Sequence, residues 1–316
     1  MNSSLSSIVP SGTSSAERNT GSSKIANGGN NLVDPLRKGN HLKNNGENGV
    51  LVSVIVPTKN SHLTLMRCLE TIKGQTYKNI EIIVVDNYST DNSLELAEKY
   101  ADAYYLMGPE RSSQVNHGVE MASGKYIYRV DSDFLLDPDV VSEAVMEAEL
   151  NNHGAILIHN SSNPDVSFWA KVRKFERDMY ASDDMNVAAR FIRRDVFLAV
   201  GGFDPNLVAG EDYDLHNRIV NKYSIGKILP KEVHLGEPRS LREVAQKHFY
   251  YGRTINLFLE KNKERGIKQV SPIRMAYLHH YKDFCKHPIL ACGFVVYQIV
   301  RYSSALAGVL SARIRP

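Results

Sequence analysis

Two short runs rich in β-branched residues constrain this chain more than any other feature. Leu51-Val52-Ser53-Val54-Ile55-Val56 stops at Pro57, and Ile80-Glu81-Ile82-Ile83-Val84-Val85 runs into Asp86. Apolar side chains occupy both faces of the first run, so it has to be covered on both sides, as in a parallel sheet packed between helices. Between the runs, Leu63, Leu65, Met66, Leu69 and Ile72 recur at helical spacing, and Gly74 closes the element. Asn92 followed by Glu95 has the pattern of a reciprocal cap for a helix through Tyr100. A third strand is expected over 103–106 and a helix over 112–122, after which Gly124 turns the chain into an apolar strand from Tyr126 to Phe134. Strand and helix alternate at the spacing of βαβ units, which predicts an α/β fold with a mostly parallel central sheet flanked by helices.

That last strand delivers Asp131-Ser132-Asp133 at its C-terminal end. In open α/β sheets ligands bind in the crevice at this edge. Two carboxylates in one small site repel each other, and a bound Mg²⁺ or Mn²⁺ with substrate phosphates relieves the repulsion. A bare Asp-x-Asp also starts ordinary surface turns, so the pair needs support from elsewhere in the chain.

Further along, the pattern predicts helices over 139–150, 195–200, 211–222 and 241–263, and strands over 155–159, 187–192 and 224–229. Residues 160–185 hold the only tryptophan, Trp169, and read equally well as a partly ordered segment beside the site or as a surface helix. Residues 1–48 are dominated by Ser, Asn, Gly, Thr and Lys with no apolar period, the composition of a disordered tail. With 38 Lys and Arg against 35 Asp and Glu, the net charge of +3 gives no bulk electrostatic case for nucleic acid. Cys68, Cys285 and Cys292 show neither a disulfide framework nor metal-ligand spacing. No charged region followed by an apolar stretch marks a secretory signal at the N-terminus.

Several segments taken together carry a resemblance. Val56-Pro57-Thr58-Lys59-Asn60, Val84-Val85-Asp86-Asn87-Tyr88-Ser89-Thr90-Asp91, the run from Arg111 to Tyr126, Asp131-Ser132-Asp133 and Gly210-Glu211-Asp212-Tyr213-Asp214-Leu215, in that order, resemble family 2 glycosyltransferases of the GT-A fold. The resemblance covers roughly 51–265. It implies a catalytic domain over 49–265, with a nucleotide-sugar half (49–135) and an acceptor half (136–265), followed by a helical segment over 266–316. It implies that Pro57, Thr58 and Asp86 line the base and ribose pocket, that Arg111 and Ser132 lie by the nucleotide, and that Asp131 and Asp133 hold the metal, Asp133 most directly. It further implies that Asp212 is the general base and that Glu211 orients the acceptor. The sequence departs from the family at Lys59, where an aromatic residue is frequent, and at Asn87-Tyr88, where Asp-Gly is frequent. Both departures bear on base and ribose selectivity. His234, after a strand, could complete the metal or pyrophosphate site or serve structure alone, and Arg239 and Arg242 read as phosphate contacts or as a solvated basic face.

The implied reaction moves a single sugar, with inversion, from a nucleotide-diphosphate sugar to an acceptor hydroxyl or lipid phosphate. The Gln-x-x-Arg-Trp signature of processive synthases is missing, since the corresponding helix reads His248-Phe249-Tyr250-Tyr251-Gly252-Arg253. The rivals are a nucleotidyltransferase, which usually needs a Gly-rich loop where Pro57-Thr58-Lys59-Asn60-Ser61 has no glycine, and a non-catalytic protein of the same fold. At the C-terminus, Ile289–Val300 is an apolar run of twelve residues, followed by Arg301. Twelve residues are too few to cross a bilayer, and a central arginine costs roughly 2.5–3.5 kcal/mol on insertion scales. The expectation is a helix lying in the membrane interface, with Lys282, Lys286, Arg313 and Arg315 toward anionic headgroups, at the cytoplasmic face of a membrane. A glycan or lipid-linked acceptor would fit that location.

Overall fold

The computed structural model describes residues 49–314 apart from positions 182 and 184, so the tail expected over 1–48 lies outside the described residues. Within them, β1 (Val52–Thr58), β2 (Ile80–Asp86), β3 (Ala103–Leu106), β4 (Tyr126–Arg129), β5 (Phe134–Leu136), β6 (Ala155–Ser162), β7 (Phe191–Arg193) and β8 (Ile225–His234) form one sheet. Its strand order is β3-β2-β1-β4-β7-β6-β8-β5. The helices are α1 (His62–Lys73), α2 (Ser93–Tyr100), α3 (Arg111–Met121), α4 (Val140–Asn151), α5 (Phe168–Asp178), α6 (Arg194–Ala199), α7 (Glu211–Val220), α8 (Leu241–Val270), α9 (Met275–His279), α10 (Tyr281–Lys286) and α11 (Pro288–Ile314).

Double cover of β1 follows from its composition. Val52, Val54 and Val56 pack with Leu65, Leu69 and Ile72 of α1. Ile55, pointing to the other face, packs with Val115 and Val119 of α3. Strands β1 to β4 are parallel, as expected. The other half is mixed: β6 and β8 run parallel, but β7 is antiparallel to β4 and β6, and β5 is antiparallel to β8.

Several local expectations are corrected. The strand expected from Tyr126 to Phe134 is two strands, because the Phe134 N–H donates to the Asp131 carbonyl (3.0 Å) and closes a turn over residues 130–133. Asn92 does not cap α2 with its side chain; the Asp91 carboxylate accepts from the Ser93 N–H (3.0 Å) instead. Part of the ambiguous 160–185 stretch is α5, whose N-terminus is capped by the Ser167 hydroxyl accepting from the Ala170 N–H (2.9 Å). The helix expected over 241–263 does break at Lys263 (φ 37°), but a second helical stretch carries α8 on to Val270.

The C-terminal region differs most from expectation. α11 continues through Arg301 for 27 residues, long and apolar enough by length and composition to cross a membrane. Arg301 does not interrupt it, because the guanidinium turns inward and pairs with Glu176 of α5 at 2.8 Å. Phe294 and Tyr297 of α11 pack with Val172 of α5 and Val244 of α8. α8 and α11 cross closely enough that a Cβ at Gly308 would overlap the Phe249 carbonyl, and one at Gly252 the Ala305 carbonyl.

Candidate active site

The C-terminal ends of the parallel strands build one wall of the site. Thr58 ends β1 in register with Asp86 at the end of β2. Pro57 and Thr58 are buried, and the Thr58 hydroxyl has no partner. Asp86 is buried too, and its carboxylate accepts from the Ser89 N–H at 2.6 Å, so it ties down the turn after β2. The Ser132 hydroxyl donates to Ser61 Oγ (2.9 Å), fastening the Asp-x-Asp turn to the loop after β1.

Asp131 sits among three guanidinium groups. One oxygen accepts from Arg190 at 3.0 Å and from Arg111 and Arg129 at 3.4 Å each; the other is buried and has no partner. Burial alone would raise its carboxyl, but Arg129, Arg111 and Arg190 outweigh that and hold it far below the usual range.

Asp133 faces the start of the loop after β8. Its Oδ2 lies 3.1 Å from His234 Nε2, while His234 Nδ1 lies 2.7 Å from Glu237 Oε1. A proton on Nδ1, held by Glu237, leaves the Nε2 lone pair facing Asp133, which is how carboxylate–histidine pairs present a ring nitrogen to a metal. Burial works against ionisation of Glu237, yet its bond to His234 and the nearby Arg177 bring its pKa down to about 2. Gly236 lies against this carboxylate so closely that an added Cβ would overlap Asp133 Oδ2.

The opposite wall is the first turn of α7. Arg111, at the start of α3, pairs with Glu211, and Arg129, at the end of β4, pairs with both oxygens of Asp212. Burial and the adjacent Asp212 push the Glu211 carboxyl up. For Asp212 burial pushes the same way, but Arg129 and Arg111 prevail and hold it below its ordinary value. Both acids, Asp131 and the nucleotide-side arginine are thereby brought together as the sequence implied.

Four participants escaped the sequence reading: Arg129, Arg190, Glu232 and Glu237. Glu232 is fully buried; it accepts from the Tyr128 hydroxyl at 2.6 Å and pairs with Arg190 Nε at 3.1 Å. The available signal was a charge inside an otherwise apolar strand, at Arg129 and Arg190, since a buried charge requires a partner. Among the described residues, neither Arg239 nor Arg242 pairs with the Asp131 cluster; the Arg239 N–H donates to Glu243 at 2.9 Å.

Among the described residues, no three His, Cys, Asp or Glu side chains converge to hold a metal by themselves. Mg²⁺ and Mn²⁺ are commonly held by one or two carboxylates plus substrate phosphates, so this does not conflict with the donor set present. Asp133 and the Nε2 of His234, 3.1 Å apart, fit that partial demand, with the unpartnered oxygen of Asp131 in the same turn but not converging on them.

Residues 53–203 match the model of glycosyl transferase family 2. The chain carries a family 2 glycosyltransferase domain. Among curated relatives, glycosyltransferase GlyG of Streptococcus pneumoniae is 35% identical over 124 residues, 37% of this chain and 41% of that protein. The match spans less than half the length of each of the first three relatives, at 41%, 26% and 30%. The GT-A-type fold of the domain is shared with a solved mannosyltransferase of Pyrobaculum calidifontis in complex with GDP-Man and Mn²⁺ (TM-score 0.57, 19% identity, 84% of this chain and 87% of that one). It is shared also with residues 1–349 of S. aureus TarS in complex with UDP-GlcNAc (TM-score 0.51, 16% identity, 84% of this chain and 92% of that one).

Proposed function

We propose that the chain transfers a single sugar, with inversion, from a nucleotide-diphosphate sugar to an acceptor hydroxyl or lipid phosphate, with Mg²⁺ or Mn²⁺ as cofactor. The observation that carries this reading is the confrontation of Asp131 with Glu211 and Asp212 across Arg111 and Arg129. The nucleotide sugars held by two proteins of the same fold, GDP-Man in one and UDP-GlcNAc in the other, support the donor class. Pro57, Thr58 and Asp86 stand on the nucleoside side of the crevice.

Breaking the glycosidic C–O bond develops positive charge on the sugar and negative charge on the departing diphosphate. A divalent ion held by Asp131, Asp133 and His234 would, when bound, neutralise charge on that diphosphate in place of a general acid. Arg111 supplies fixed positive charge on the same side. Asp212, ionised at neutral pH, takes the proton of an acceptor hydroxyl as its oxygen bonds to the anomeric carbon and the nucleoside diphosphate leaves. Glu211, whose carboxyl burial and Asp212 push up, orients the acceptor.

The same proposal places the enzyme peripherally on the cytoplasmic face of a membrane. Its support is the outer face of α11, where Ile289, Val295, Val296, Ile299, Leu306 and Leu310 are exposed, flanked by the exposed Lys282, Lys286 and Arg313.

The test is binding of UDP-, GDP- and dTDP-sugars to the full chain, with and without Mn²⁺, beside Asp133→Ala. Metal-dependent binding of one donor, lost in the variant, is expected. Failure to bind any of them would overturn the reading.

A further inference from the structure

A cavity of about 230 Å³ opens beside Asp212, and five of its lining residues are arginines: Arg173, Arg177, Arg190, Arg274 and Arg301. Among the described residues Asp212 is the one carboxylate in that lining, and it is already taken by Arg129. Behind the wall Arg190 meets both Asp131 and Glu232, but the other four arginines are not balanced one for one. Glu176 is shared between Arg173 and Arg301, and Glu237 between Arg177 and His234. Arg274 donates to two backbone carbonyls, Gln269 at 3.1 Å and Ser271 at 3.3 Å, and lies 5.0 Å from the Tyr180 ring centroid. Its hydrogen-bond acceptors are therefore neutral carbonyls.

Burial works against the charge of Arg173, Arg190, Arg274 and Arg301, yet nearby carboxylates and tyrosines hold all four above their ordinary values. Arg177 is not so compensated: burial, together with Arg173, brings it down to about 10. Burial, together with Arg301 and Arg173, brings the neighbouring His248 down to about 3. A bound anion would offset the charge left uncompensated in this partly enclosed space.

We infer that this cavity receives a phosphate group carried by the acceptor, next to the atom that reacts at Asp212. The inference rests on the transferase reading and specifies its acceptor. A guanidinium cluster matches phosphate better than a neutral sugar, since each arginine can present two parallel N–H donors to phosphate oxygens. The cavity is separate from the Asp131–Asp133 crevice assigned to the donor diphosphate, although Arg190 touches both. A second cavity, of about 310 Å³, shares Asp212, Tyr213, Arg274 and Arg301 with the first and is otherwise walled in part by Ala209, Ile255, Val270 and Ala305. An apolar continuation of the acceptor would fit there, so the phosphate could come from a soluble polyol or from a prenyl chain.

The experiment is calorimetric binding to the full chain in EDTA, which keeps metal–phosphate complexes out of the donor crevice. The probes are glycerol 3-phosphate and farnesyl phosphate, each against its neutral parent, glycerol or farnesol. At least one phosphorylated probe should bind about tenfold or more tighter than its parent. Arg274→Gln and Arg177→Gln should each remove most of that preference, and Arg274→Lys should restore part of it. A preference for glycerol 3-phosphate identifies a soluble phosphate source, and one for farnesyl phosphate alone a prenyl-linked source. Equal binding of phosphorylated and neutral probes, or a preference unchanged in both glutamine variants, would overturn the inference. Donor binding with Mn²⁺ on the same preparations separates the two readings: its loss in the wild type with phosphate preference intact would sink the transferase reading alone.

Discussion

In the proposed reaction, the service of Asp212 as base depends on what surrounds it. Arg129 grips both of its oxygens, and that pair keeps the carboxylate ionised despite burial. Asp212→Asn keeps the shape and the hydrogen-bonding partner but removes the proton acceptor. Transfer should fall by about 10²–10⁴-fold while donor affinity changes little, as read from kcat and donor titration. Unchanged turnover would remove the base assignment. Gly236 matters for a steric reason. A methyl group there would overlap Asp133 Oδ2, and the carboxylate is the free end of a side chain that can swing away. Gly236→Ala should therefore melt within about 1 kcal/mol of the wild type, yet bind Mn²⁺ and donor several-fold more weakly, since surface-loop substitutions are cheap and ligand misplacement is not. Equal metal-dependent donor binding would show that Asp133 is not held where the metal needs it.

At the scale of elements, α5, α9 and α11 are joined around Glu176. This buried carboxylate receives Arg173 and Arg301 and accepts from the hydroxyls of Tyr180 (2.7 Å) and Tyr277 (2.9 Å). Burial would raise its carboxyl, but Arg301, Arg173 and Arg274 hold it well below the ordinary value of 4.5. A depressed folded pKa contributes stability that is fully present above the unfolded value and is lost as pH falls toward the folded one. Glu176→Gln leaves two buried guanidinium groups without their anion and should cost about 3–5 kcal/mol at pH 7. Urea melts should show the gap between variant and wild type shrinking as pH drops below about 4.5. A gap independent of pH would mean that packing, not charge, holds α11 in place. The Asp-x-Asp turn likewise depends on an element far along the chain, because β5 pairs with β8 and the Leu235 N–H donates to the Asp133 carbonyl at 2.8 Å.

For the whole molecule, the membrane reading has to be tested without deleting α11, because its inner face completes a core with α5 and α8. Ile299 and Leu306 lie two turns apart and are 63% and 60% exposed, so charges there leave the inner face untouched. The pair Ile299→Asp and Leu306→Asp should reduce co-flotation with anionic phosphatidylglycerol vesicles about tenfold or more, with donor binding in solution unchanged. Retained flotation would place the contact elsewhere. Beside the covered sheet, α8 and α11 pack closely on each other, and the outer face of α11 is left exposed.

Local chemistry was legible in the residues themselves. The two-sided apolar run at β1 required a doubly covered parallel sheet, and the ordered motifs around Pro57, Asp86, Asp131 and Asp212 pointed to a nucleotide-sugar crevice closed by acids at a helix start. The first follows from periodicity, and the second is what the resemblance of those short motifs to family 2 glycosyltransferases implied. What only the tertiary structure decided is pairing over long separations. Whether Asp212 is free or gripped by Arg129, whether Asp131 faces one cation or three, and whether Arg301 meets lipid or Glu176 all depend on contacts between residues tens of positions apart. A charged side chain looks the same in sequence whether solvated or buried. Its partner, and hence its charge balance and reactivity, exists only once the sheet and the C-terminal helices have closed around it.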